Sequence, residues 1–132
     1  MTATIDRLAG LVRDTLALGG DVDVRPEQLL FHDLGFTSID LLDLLFRIEE
    51  HFGVAIVEGT IYRLARGEVD DAQFASKGVL TPLGRERVMA LLSDTPPAMF
   101  PERLDAPSLP RYVTVGALAR LIDHLLEPAP AA

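Results

Sequence analysis

The chain has no cysteine among its 132 residues, so disulfides and thiolate metal sites are excluded and any thiol chemistry has to come with a cofactor. Positive charge is also scarce: 12 lysines and arginines stand against 20 acids, a net charge of −8. Nucleic acid is therefore not an expected partner, whereas basic protein surfaces are. No stretch reaches the roughly 18–20 apolar residues of a membrane span, and Met1-Thr-Ala-Thr-Ile-Asp-Arg7 lacks the apolar run of a secretion signal. No membrane span and a cytoplasmic location are expected.

Catalytic and metal signatures are missing too. Asp21 and Asp23 hint at a calcium loop, but no Gly follows at the sixth position and no Glu at the twelfth. His32, His51 and His124 are scattered, and the pair His32-Asp33 is better read as structural than as metal-binding. Gly19-Gly20 is an isolated pair, not a phosphate-binding loop. Ser38 lacks the Gly-x-Ser-x-Gly elbow and its preceding strand, and neither a base nor an oxyanion hole can be assigned to it. No catalytic residue and no metal ligand is named, and the chain is not expected to be an enzyme.

What the sequence does contain is a turn running into a long amphipathic helix, residues 34–53. Gly35 permits the turn, Ser38 falls where an N-cap or first-turn residue belongs, and Gly53 supplies a left-handed stop. At 100° per residue, Leu41, Leu44, Leu45, Ile48 and Phe52 form a core-facing side, and Asp40, Asp43, Arg47 and Glu50 a polar stripe. Ile39, Leu42 and Phe46 occupy a third sector together with Glu49. A buried, unpaired carboxylate would cost more than the roughly 2–7 kcal/mol of a simple polar group, so this sector is expected to face solvent. An apolar patch rimmed by acids then lies beside Ser38.

These residues carry a family resemblance. Leu34-Gly35-Phe36-Thr37-Ser38-Ile39-Asp40-Leu41, with Arg47-Ile48-Glu49-Glu50-His51-Phe52-Gly53-Val54, resembles the prosthetic-group site and second helix of acyl carrier proteins. The resemblance implies an all-α, acyl-carrier-like four-helix bundle whose serine, here Ser38, bears 4′-phosphopantetheine through a phosphodiester and carries an acyl group as a thioester on the arm's thiol. It also implies docking through Ile39, Asp40, Leu42, Asp43, Phe46, Glu49 and Glu50. The partners implied are a phosphopantetheinyl transferase and acyl-loading, acyl-transfer or condensing enzymes with basic patches, in fatty-acid, lipid or polyketide-type biosynthesis. A phosphodiester at a helix N-terminus meets the positive end of the dipole and unpaired N–H groups, so the physics of the position agrees. One departure stands out: carriers of fatty acid synthesis usually have Asp before the serine, and here that residue is Thr37. Two alternatives remain open, an aminoacyl or peptidyl carrier of an assembly line and a non-carrier helical interaction module in which Ser38 is only a cap. The acidic balance and the Phe-Thr-Ser-Ile context lean toward acyl.

Elsewhere, Ile5, Leu8, Ala9, Val12 and Leu16 recur at helical spacing, predicting a first helix over 5–18 with Thr4 as cap and Gly19-Gly20 as stop. A long loop with Leu29, Leu30, Phe31 and Leu34 as anchors leads to Ser38. Thr114 should cap a final helix over 115–127, followed by a disordered tail, 128–132. Residues 1–127 are expected to form a single, monomeric carrier domain. Its unusual part is an insertion at about 58–111, where common carriers have one short helix. Ile61, Leu64 and Ala65 suggest a short helical segment, Ala72-Gln73-Phe74 another, and Gly78-Val-Leu80 an extended one. Thr81-Pro82 starts a helix through Leu83, Val88, Leu91 and Leu92, which Gly84 should weaken by about 1 kcal/mol. Pro96, Pro97, Pro101, Pro107 and Pro110 shape the return. The insertion either packs on the bundle and enlarges its core, or alters an acyl cavity or adds a docking surface through Phe74, Met89, Met99 and Phe100.

Overall fold

A computed structural model describes residues 3–17, 22–57 and 59–127. Apart from one short hairpin the structure is all-α: α1 (Thr4–Thr15), α2 (Ser38–Phe52), α3 (Thr60–Arg66), α4 (Asp71–Phe74), α5 (Pro82–Leu91) and α6 (Val115–Leu126). Two 3-10 segments, Pro97–Met99 and Ala106–Tyr112, carry the proline-rich return. The expected helical bundle with an irregular insertion is what forms.

Helix α1 packs against both α2 and α6, burying Leu8, Ala9 and Val12. It is shorter than its periodicity predicts, because Leu16 and Ala17 leave the helix in a turn, Ala17 at φ +55°. Leu18 and the expected stop at Gly19-Gly20 lie outside the described residues, as does the tail 128–132. The capping role given to Thr4 is also corrected. Ala3 is the N-cap and makes no side-chain cap bond, while the Thr4 hydroxyl donates to the Asp123 carboxylate on α6. A polar side chain at a helix start has here found a partner far along the chain instead of its own backbone.

The loop before α2 is fastened to the start of α6. Leu30 N–H donates to the Val113 carbonyl at 3.1 Å, Val115 N–H to Gln28 at 3.0 Å and Gly116 N–H to Pro26 at 2.8 Å. Leu29 and Thr114 form an isolated antiparallel bridge. Asp33 closes the turn by accepting the Leu29 N–H at 2.7 Å, and Phe36 N–H reaches back to the Leu30 carbonyl at 3.0 Å. Leu29, Leu30 and Phe36 are buried, so the loop is pinned by both hydrogen bonds and apolar anchors. Thr114 caps α6 as expected, accepting the Ala117 N–H at 3.0 Å.

The insertion enlarges the core. Phe74, Leu80, Val88, Leu92, Phe100, Leu104 and Leu109 join Leu8, Leu44, Ile48 and Ile122 in one buried apolar cluster. Phe74 and Phe100 are therefore interior side chains, with Met89 and Met99 half-buried, and these four do not form an exposed docking surface. A two-stranded hairpin, β1 (Ala75–Ser76) and β2 (Val79–Leu80), turns through Lys77 and Gly78, both at positive φ. That is the geometry favoured by two-residue hairpin loops. Arginines staple the pieces: Arg85 donates to the carbonyls of Pro101 at 2.9 Å and Phe100 at 3.0 Å, and Arg87 to that of Ala65 at 2.7 Å.

Helix α5 departs from its sequence reading in two places. Leu83 is 42% exposed and not part of the core. Gly84, read as a weakness, is instead a spacing requirement: a Cβ there would lie 2.0 Å from the Phe74 carbonyl oxygen and 3.4 Å from the Leu80 side chain. Backbone cannot yield as a flexible side chain can, so Gly84→Ala should lower stability by about 1–3 kcal/mol despite alanine's better helix propensity. Gly10, inside α1, has nothing within 4 Å of its would-be Cβ. Gly10→Ala should therefore raise stability by about 0.5–1 kcal/mol, and urea melts of the two variants should move in opposite directions.

Candidate functional site

The start of α2 is set by a reciprocal cap. Thr37 N–H donates to Asp40 Oδ2 at 2.8 Å, the Thr37 hydroxyl to the same oxygen at 3.0 Å, and Asp40 N–H to Thr37 Oγ1 at 3.2 Å. This is a capping box, with threonine as N-cap and aspartate at the third helical position. Ser38 is thus the first residue of the helix, not its cap. Its side chain is exposed, and among the described residues no hydrogen bond holds its hydroxyl. The N–H groups of Ser38 and Ile39 have no intrahelical partner and lie at the positive end of a 15-residue helix. A negatively charged phosphodiester on this hydroxyl fits that setting.

Around α2 the expected faces appear. Leu44, Ile48 and Phe52 are buried. Ile39, Leu42 and Phe46 are 77%, 68% and 59% exposed, and Glu49 and Glu50 are exposed with them. Asp43 is exposed and pairs with Arg47 at 3.4 Å, whereas Asp40 is half-buried with its carboxylate committed to the cap. Gly53 ends the helix at φ +75°, its N–H donating to Glu49 at 2.9 Å. Arg7 of α1 lies 4.3 Å over the Phe52 ring and donates to His51 at 3.3 Å, fixing this end of α2 to the bundle.

Leu41 and Leu45 are half-buried against the edge of the core. They face an apolar cavity of about 460 Å³ that Ser38 also lines. Its other walls come from Ile61 of α3, from Leu109 and Pro110 of the second 3-10 segment, and from Leu118 and Leu121 of α6. The sequence reading missed these residues as site residues. Leu118 and Leu121 carry the same helical periodicity as any core position, and the 3-10 wall comes from a stretch whose prolines signal only a turn. Tyr62 lines the cavity as well, its ring edge-on to Phe74 at 4.9 Å between centroids. Burial, and then the Asp71 carboxylate 3.4 Å from the phenol oxygen, raise the Tyr62 pKa above its ordinary value, so the phenol stays neutral at physiological pH.

A family model described as "Phosphopantetheine attachment site" matches residues 6–65, which run from α1 into α3. Acyl carrier protein AcpXL of Rhizobium meliloti is 31% identical over 75 residues, covering 56% of this chain and 78% of that protein. Its namesake from Rhizobium etli is 32% identical over 75 residues, 56% of this chain and 80% of that one. AcpXL of Mesorhizobium japonicum is 37% identical over 57 residues, 42% of this chain and 59% of that protein. The chain belongs to the acyl carrier protein family. It is accordingly a carrier and not a catalyst, and its prosthetic group is 4′-phosphopantetheine.

The capping box accounts for the residue that departs from the usual carrier pattern. Serine keeps both the accepting and the donating role of the threonine hydroxyl, so Thr37→Ser should leave α2 intact while Thr37→Ala loses about 1 kcal/mol. Chemical denaturation of the two variants measures the difference, and equal losses would show that the Thr37 hydroxyl does not hold the helix start.

Proposed function

We propose that Ser38 is the attachment residue and that the chain tethers acyl intermediates there for delivery to partner enzymes of fatty-acid, lipid or polyketide-type biosynthesis. The observation that carries this reading is an exposed serine hydroxyl, without a hydrogen-bond partner among the described residues, at the first turn of α2 on the edge of an apolar cavity. The bound arm supplies a thiol that holds the acyl group as a thioester. The chain's own residues do the rest: the cap orients Ser38, the free N–H groups of the first turn favour the phosphodiester, and Leu41, Leu45 and Ile61 offer the acyl chain a surface away from water. The apolar cavity favours acyl over aminoacyl cargo.

Partners would include a phosphopantetheinyl transferase and acyl-loading, acyl-transfer or condensing enzymes. Ile39, Leu42 and Phe46 would form the apolar centre of the docking surface, and Asp43, Glu49 and Glu50 its charged rim. Asp40 contributes its charge from within the cap. The insertion at 58–111 carries eight acids against seven bases, so most of the acid surplus falls on α2, where docking is expected, and on the loop before it. The insertion belongs to the carrier domain and works in the cytoplasm as part of it, in a monomer.

Intact mass before and after incubation with coenzyme A, magnesium and a broad-specificity phosphopantetheinyl transferase tests the attachment. The parent should gain one phosphopantetheine and Ser38→Ala none. Because Thr37 is the cap, Ser38→Ala should stay within about 0.5 kcal/mol of the parent in stability. An adduct on the alanine variant would remove Ser38 from its role.

A further inference from the structure

A second cavity, of about 300 Å³, lies beyond the one beside Ser38, between α3, α5 and α6. Leu64, Leu91, Leu92 and Ala117 line it, and Arg120 and His124 stand at its rim. Among the described residues Leu121 alone lines both cavities, and it is only 5% exposed. Helices α3 and α6 contribute to both: on α3, Ile61 lines the first and Leu64, one turn on, the second, and on α6 the adjacent Leu118 and Ala117 line the first and the second from faces about 100° apart.

Resting on the Ser38 reading, we propose that Leu121 is the partition that sets the length of acyl chain this carrier can bury, with the insertion walling both compartments. The 3-10 segment Ala106–Tyr112 bounds the near cavity through Leu109 and Pro110, and α5 bounds the far one through Leu91 and Leu92. Arg120 braces the far side, its guanidinium paired with Asp94 and donating to the Leu91 carbonyl at 3.2 Å, so α5 and α6 are held at a fixed separation. Taking a methylene as about the size of a water's share of the liquid, roughly 30 Å³, the near cavity holds on the order of ten to fifteen methylenes. Longer chains meet the Leu121 side chain. Because apolar surface is gained only while methylenes enter the cavity, stabilisation by cargo should climb with chain length and then level off.

The test is to load the full chain with acyl-phosphopantetheine from hexanoyl to octadecanoyl, verify each adduct by mass, and measure Tm and amide hydrogen exchange in α2, α3 and α6. In the parent, Tm should rise with length and plateau between about ten and fifteen carbons. In Leu121→Ala the plateau should move several carbons longer, with added protection in α5. Leu121→Val, which removes a single methylene and holds the fold more securely, should show a smaller shift in the same direction. A profile unchanged in both variants, or a parent Tm that keeps climbing through octadecanoyl, overturns the partition. Failure of any chain to form on the parent removes the Ser38 reading together with this one, whereas adducts with unshifted profiles remove the partition alone.

Discussion

The reciprocal cap between Thr37 and Asp40 is the constraint on which the site depends, because it decides where α2 begins. If the helix began one residue later, Ser38 would itself become the cap and its hydroxyl would turn to the N–H groups of the first turn instead of standing free at the cavity edge. The cap acts on a loop already held from behind: three backbone hydrogen bonds tie residues 26–30 to residues 113–116 at the head of α6. Position along the chain and position in space are thus fixed by separate devices. A helix N-terminus alone would give an anion-friendly end, but not one that opens on a chosen face of the bundle.

The cavity beside Ser38 interrupts the packing between α2, α3 and α6. Protein interiors normally fill their space at crystal-like density, and side chains that line a void forgo dispersion contacts. Here Leu41 and Leu45 are only partly buried and Leu118 and Leu121 turn part of their surface to the cavity, while Leu44, Ile48 and Ile122 are completely buried. Leu42, on the same helix, lines the cavity edge and is also 68% exposed, so the exposed apolar patch and the cavity meet at that side chain.

The insertion changes the bundle from within. Its aromatic residues are structural: Phe74 under Tyr62, and Phe100 stacked on Tyr112 at 5.1 Å. Arg85 and Arg87 spend their donors on the carbonyls of Phe100, Pro101 and Ala65. Leu91, Leu92, Leu109 and Pro110 of the insertion supply walls of the two cavities.

Much of this was legible in the sequence, because helix faces and caps are local properties. The 100° periodicity of α2 separated Leu44 and Ile48 from Ile39, Leu42 and Phe46, and Thr114 and Thr81 announced their helices by type and position. Local chemistry misled where a distant partner intervened: Thr4 turned to Asp123, and Gly84 proved necessary because the Phe74 carbonyl crosses it. Phe74, Met99 and Phe100 read equally well as surface or core, since an apolar residue in a short or irregular segment has no period to betray its side. The sequence by itself therefore determined the all-α character, the exposed serine at the head of α2 and the acid-rimmed apolar patch beside it. Only the tertiary structure decided that Leu41, Leu45, Leu109, Leu118 and Leu121, spread over three elements, surround a common space, because a cavity is made by what the chain fails to fill and no local pattern encodes that.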